Sequence, residues 1–152
     1  MVVLWALVAV NALGDASPDG GHFWAAPWEI GDEFGGKGLM TSAPSDWPKT
    51  KLSAHNTTIA IVATDADVSQ AVCTRIATAA HDGMARALVP SHTPMDGDLL
   101  FAVSTNARPL ENEAADALML GHAAATCLAR AIARGVWEAT PASGDLLPCF
   151  RD

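Results

Sequence analysis

Apolar residues run almost unbroken at the head of the chain, in MVVLWALVAV, and stop at NALGD. A continuous apolar run of this length predicts a strand over Val2–Val10 buried on both faces. A second run, rich in Ile and Val, predicts a strand from Thr58 to Thr64. DADVSQAVCTRIATAAHDGMARALVP then changes period. Val68, Val72, Ile76, Ala79, Ala80, Gly83 and Ala87 fall on one helical stripe, with Ser69 or Asp67 as N-cap and Pro90 as a stop. LLFAVST is a third strand. A second helix is expected from Glu111 to about Glu138, with Leu118, His122, Ala125, Leu128, Ile132 and Val136 as its buried line.

Between the first two strands, Asp15 to Ala54 sustains no period of either kind. About 40 residues without regular structure exceed an ordinary loop, so this segment is expected to be functional or disordered. Trp24, Trp28 and Trp47 either pin it to a surface or cover the core. Residues 140–152 read as a tail. The order strand, long loop, strand, helix, strand, helix predicts one α/β layered domain over residues 1–152. Buried strands seldom open a fold, so the chain is expected to be a piece of something longer.

Charge removes several function classes. The formal net charge is −8, and the nine basic residues are scattered. A nucleic-acid binder needs a basic track to displace counterions, so no nucleic-acid partner is expected, and anionic membrane surfaces are disfavoured for the same reason. The first apolar run lacks a positive flank and falls short of the roughly 20 residues that span a bilayer. Three cysteines, Cys73, Cys127 and Cys149, have no metal-ligand spacing and cannot all pair, which fits a reducing, cytoplasmic setting. GDEFGGKG has neither phosphate-loop spacing nor a strand directly before it.

The candidate chemistry gathers at HNTTIAIVATDA. Asn56-Thr57-Thr58 admits three readings: a glycosylation acceptor, a polar strand start, or a bond that the protein cuts in itself. In the third, a threonine at the head of a strand attacks the carbonyl before it, and its freed amine, with an unperturbed pKa of roughly 7.7–8.0, then serves as base for its own hydroxyl. HTPMDGD places Asp96 and Asp98 around a glycine just before a strand, where paired carboxylates could orient an ammonium, share a proton or bind a cation. Asn11, at the end of the first strand, offers an amide that could stabilise an oxyanion or simply close a turn.

Together ALVAVNALGD, NTTIAIVATDADVSQAVCTRIATAAHDGMARAL, HTPMDGDLLFAVST and the alanine-rich last helix resemble the C-terminal part of the L-aminopeptidase/D-esterase family of self-processing N-terminal-nucleophile hydrolases, nylon-oligomer hydrolases among them. The resemblance implies cleavage of Asn56–Thr57, Thr57 as nucleophile, Asp96 and Asp98 as the acidic pair beside it, and Asn11 lining the site. It implies an αββα-like sandwich, no cofactor, a small peptide or amide substrate and a homo-oligomer. The Asn-Thr-Thr and Met-Asp-Gly-Asp pattern is closer to the threonine branch of the family. The resemblance also implies a large N-terminal portion, outside these 152 residues, with most of one sheet and a site lysine that Lys37, Lys49 and Lys51 do not match. The competing expectation is a catalytically inactive fragment that acts only as a folding or oligomerisation unit.

Overall fold

The computed structural model describes residues 1–42, 44–46, 50, 56–145 and 147–151. Three strands, β1 (Leu4–Asn11), β2 (Thr57–Ala66) and β3 (Leu99–Arg108), form one mixed sheet in the order β1-β2-β3. β1 runs antiparallel to β2, and β3 runs parallel to it. Parallel neighbours need a crossover, and α1 (Gln70–Ala87) supplies it between β2 and β3. The second helix, α2 (Glu113–Glu138), follows β3 and packs on α1 and β1. Element order is the predicted one, and Ser69 is the N-cap of α1, its hydroxyl accepting from the Val72 amide at 3.3 Å. Among the described residues no helix is long and apolar enough to cross a membrane.

The core lies between one face of the sheet and the two helices. Ala60, Val62 and Leu100 meet Ile76, Ala80 and Met84 of α1 and Leu128 and Ile132 of α2. Gly83 permits the close helix–helix contact, since a Cβ there would run into the Ala125 carbonyl. Small residues make this seam, and that corrects the buried line expected for α2. Ala125, Leu128 and Ile132 are buried as expected, but Leu118 is 70% exposed and His122 is exposed, and Leu120, Gly121 and Ala124 face inward in their place. On this helix large apolar side chains fill the core, while the small ones beside them allow the close approach to α1.

β1 also departs from its predicted environment. Its burial alternates residue by residue rather than being complete, with Trp5 50% and Leu7 65% exposed. The helices cover only one face, so every second apolar residue points away from them. Ile59, Leu99, Phe101 and Val103 extend the same open apolar surface across the other strands.

The segment after β1 is pinned despite having only one short 3-10 turn, Ala26–Trp28, among its described residues. Phe23 and Phe34 are buried with ring centroids 5.3 Å apart, and Phe150 from the tail stacks on Phe23 at 4.6 Å. Arg86 sits 4.6 Å over the Trp28 ring, so Trp28 anchors the segment to α1. Trp47, Lys49 and Lys51 lie outside the described residues.

Glu33 supplies the polar anchor, accepting from Arg130 Nε at 2.5 Å and Nη2 at 2.9 Å. Hydrogen bonding from Arg130 holds the Glu33 carboxyl below its ordinary value of 4.5. A carboxylate with a depressed folded-state pKa contributes stability above its unfolded value and loses it as pH falls through the folded one. Glu33→Gln is therefore expected to cost about 2 kcal/mol at pH 7. In urea denaturation series, the gap between wild type and variant should close as pH drops below 4.5. A gap that persists in acid would mean that the pair contributes through packing alone.

Candidate active site

One end of the sheet gathers the C-terminus of β1 and the N-termini of β2 and β3. The antiparallel register sets Asn11 directly opposite Thr57. The parallel register sets Ile59 beside Leu99, and an isolated bridge between Asn56 and Asp96 carries it three residues further back. Thr57 therefore stands level with Gly97, flanked by Asn11 on its other side. Cross-strand partners share a face, so Asn11 and Thr57 both lie on the face that the helices leave open. All five residues singled out from the sequence, Asn11, Asn56, Thr57, Asp96 and Asp98, come together here.

The peptide joining Asn56 to Thr57 has an unusual set of neighbours. Thr57 Oγ1 donates to the carbonyl oxygen of Asn56 at 2.6 Å. The same oxygen accepts the Gly97 N–H at 2.9 Å. Two donors on one carbonyl polarise it toward nucleophilic attack, and the hydroxyl oxygen is already adjacent. Asn56 is 3% exposed, so these contacts are made largely out of water, where they are stronger. A Cβ at position 97 would lie 3.0 Å from Thr57 Oγ1, so the absence of a side chain there leaves the hydroxyl unobstructed.

The two aspartates do different work. Asp98 Oδ1 accepts the Thr58 N–H at 3.0 Å, fixing the backbone one residue beyond Thr57. Its other oxygen faces His92 Nδ1 at 3.5 Å. Asp96 Oδ1 accepts the Leu13 N–H at 3.0 Å, and its Oδ2 accepts from Thr93 Oγ1 at 2.7 Å. Asp96 thus ties the loop before β3 to the chain leaving β1. Two residues on, Asp15 and Val89 exchange backbone hydrogen bonds of 3.1 and 3.0 Å. Gly14 between these ties abuts the Pro90 backbone, where any side chain would collide. Thr58 Oγ1 is buried and has no hydrogen-bond partner among the described residues.

A cleft of roughly 680 Å³ adjoins this end of the sheet, with Asn11, Leu13 and Gly14 on one wall and Val136 and Phe150 on another. Another, of roughly 620 Å³, opens at the far end of β1, between Val2 and Leu4 and the outer face of α2, away from Thr57. Cys127 borders that second cleft, and burial pushes its thiol up, which keeps it protonated and unreactive. Sequence reasoning passed over His92 and gave Gly97 no role of its own. Both stand inside HTPMDGD, where the acidic pair drew the attention.

A family model described as peptidase family S58 matches residues 2–146. The chain belongs to that family. It is the L-aminopeptidase/D-esterase family that the sequence motifs resemble. Among curated relatives, an uncharacterized aminopeptidase of Mycobacterium leprae is 38% identical over 91% of this chain and 41% of its own length. An uncharacterized aminopeptidase of Mycobacterium tuberculosis is 48% identical over 64% of this chain and 30% of its own length. A 6-aminohexanoate-oligomer endohydrolase of Paenarthrobacter ureafaciens is 33% identical over 60% of this chain and 26% of its own length. The chain thus spans well under half the length of these S58 relatives.

Gly97→Ala tests the packing that brings the strand ends together. The added methyl meets Thr57 Oγ1 at 3.0 Å and is expected to push it by a few tenths of an ångström, at a cost of about 1 kcal/mol in overpacking. In NMR spectra the Thr57 methyl resonance is expected to move while those of Val62 and Ile132 hold. An unmoved Thr57 methyl would show that the loop yields instead.

Proposed function

We propose that the chain is the nucleophile-bearing part of an amide-bond hydrolase that activates itself by cutting Asn56–Thr57. The observation that carries this reading is the contact between Thr57 Oγ1 and the Asn56 carbonyl, together with the Gly97 N–H on the same oxygen. Membership of family S58 and the aminopeptidase and oligomer-hydrolase names of the relatives supply the reaction class.

In this mechanism Thr57 Oγ1 attacks the Asn56 carbonyl carbon, and the hydroxyl proton passes to the departing Thr57 nitrogen as the C–N bond breaks. The Gly97 N–H stabilises the negative oxygen of the tetrahedral intermediate. Water then hydrolyses the resulting ester, leaving a carboxylate on Asn56 and a free amine and hydroxyl on Thr57. In turnover that amine serves as base for the hydroxyl, which attacks a substrate amide; the first product leaves as an amine, and water releases the acyl group. Asp98 fixes the Thr58 amide behind the nucleophile, Asp96 holds the loop that carries Gly97, and Asn11 faces the reacting threonine as a second amide donor. Small peptides or amide oligomers are the substrate class proposed.

The open apolar face of the sheet belongs to the same proposal. A large exposed apolar patch marks a surface that is covered in the working protein. The rest of the family fold, as a second sheet, is the cover proposed, giving a sandwich of two sheets between helix layers, with further assembly into a homo-oligomer. The same open face also favours the second reading, a folding or oligomerisation unit without chemistry of its own.

Intact mass spectrometry separates the two. On incubation near neutral pH the chain is expected to resolve into pieces of 56 and 96 residues, and Thr57→Ala should remain whole. Thr57→Ser should still cut, since it keeps the hydroxyl. A wild-type chain that stays intact, even with the remaining portion of the fold supplied in trans, would decide for the inert unit.

A further inference from the structure

Asp98 touches the predicted cleavage site with one carboxylate oxygen and His92 with the other. Its Oδ1 receives the Thr58 N–H at 3.0 Å, and its Oδ2 lies 3.5 Å from His92 Nδ1. His92 is held from behind as well. Its Nε2 is 3.2 Å from the carbonyl oxygen of His81 on α1. The backbone at His92 has φ 55, in the left-handed region.

These contacts fix where the ring carries its proton. A carbonyl can only accept, so the His81 contact requires hydrogen on Nε2. Neutral imidazole has a single N–H, so Nδ1 of the neutral ring turns a lone pair toward the Asp98 carboxylate. That arrangement is repulsive. A second proton, on Nδ1, converts it into an attractive ion pair and leaves the His81 contact intact. The doubly protonated ring then spans α1 and the start of β3, gripping both.

Few other charges face His92. The His81 ring stands 5.2 Å away by centroid, and burial followed by the nearby His92 pushes its pKa down, so it tends to stay neutral. Asp98 and Asp82 act on His81 in the opposite direction. Asp96, in the same loop, has both oxygens engaged by Leu13 and Thr93. Asp98 is the carboxylate within 4 Å of His92 among the described residues.

We propose that His92 is a positioning residue for Asp98, holding that carboxylate against the Thr58 amide only when its imidazole carries both protons, and so coupling the geometry at Thr57 to pH. Its effect on cleavage rests on the function proposed above; its effect on the Thr58 amide does not.

Two arms test it on the full chain. The first uses Thr57→Ala, which cannot cut itself, and follows the Thr58 amide by NMR from roughly pH 5.5 to 8.5, where imidazoles titrate. The Thr58 amide signal is expected to shift in step with the His92 ring signals. His92→Asn, which suits a left-handed backbone and removes the imidazole, should abolish that shift. A Thr58 amide that ignores pH, or one that still responds in the Asn variant, overturns the proposal. The second arm compares cleavage of Asn56–Thr57 in wild type and His92→Asn by intact mass. The wild type should be about tenfold faster at the acidic end, with the ratio falling toward one at the alkaline end. A ratio constant with pH overturns the kinetic role. If neither protein cuts, even with the remaining portion of the fold supplied in trans, the function proposed above fails, and the Thr58 amide alone decides the role of His92.

Discussion

The geometry of this end of the molecule depends on one close approach, the Gly97 backbone against Asn56 and Thr57. The parallel register of β2 and β3 brings the two segments level, the Gly97 amide reaches the Asn56 carbonyl, and the missing side chain at 97 leaves the Thr57 hydroxyl its room. From that contact the rest is arranged outward. Asp98, one residue on, is level with Thr58 and takes its amide; Asp96, one residue back, reaches the chain beyond β1. The two carboxylates that flank this glycine thus each take a backbone N–H from a different segment, Asp98 from Thr58 on β2 and Asp96 from Leu13 beyond β1. Each is fixed by a backbone N–H, which makes a more rigid partner than a side chain.

Much of this was legible in the sequence because its cause is local. The apolar runs and the stripe at Ile76, Ala80, Gly83 and Ala87 located the strands and the first helix, since periodicity reports which residues one element can present together. The gathering of Asn11, Asn56, Thr57, Asp96 and Asp98 was anticipated through the family resemblance, not through any period. Spacing along a chain does not state which strand ends meet. What escaped was set by neighbours far away in sequence. The buried side of α2 follows from the glycine and alanines facing α1, so the exposed Leu118 was misassigned. His92 acquires its position from a carbonyl on α1 and a left-handed backbone, neither of which leaves a pattern in SHTPMDGD.

The open face of the sheet follows from the same logic. Apolar residues on both sides of β1 read as a strand buried twice, and the helices supply only one of the two covers. The pattern described an environment larger than the described residues provide. Its exposed members, Trp5, Leu7, Ile59, Leu99 and Phe101, sit on the face that also carries Thr57 and Asn11. Whatever covers that apolar surface therefore also roofs the proposed reacting groups.

That shared face ties stability and chemistry together. A cover drawn down by apolar burial would exclude water from Asn11 and Thr57 at the same time, and polar contacts strengthen as water leaves. Asn56 and Thr58 are already buried by the helices' side of the fold, so the threonine between them is the element still facing outward. Its backbone is held by neighbours on both strands, and its hydroxyl already touches the carbonyl before it. Cutting at that point would leave the pairing of β2 with β1 and β3 intact, because Thr57 is the first residue of its strand. The sheet would persist, and the new amine would emerge on the face where a substrate must arrive.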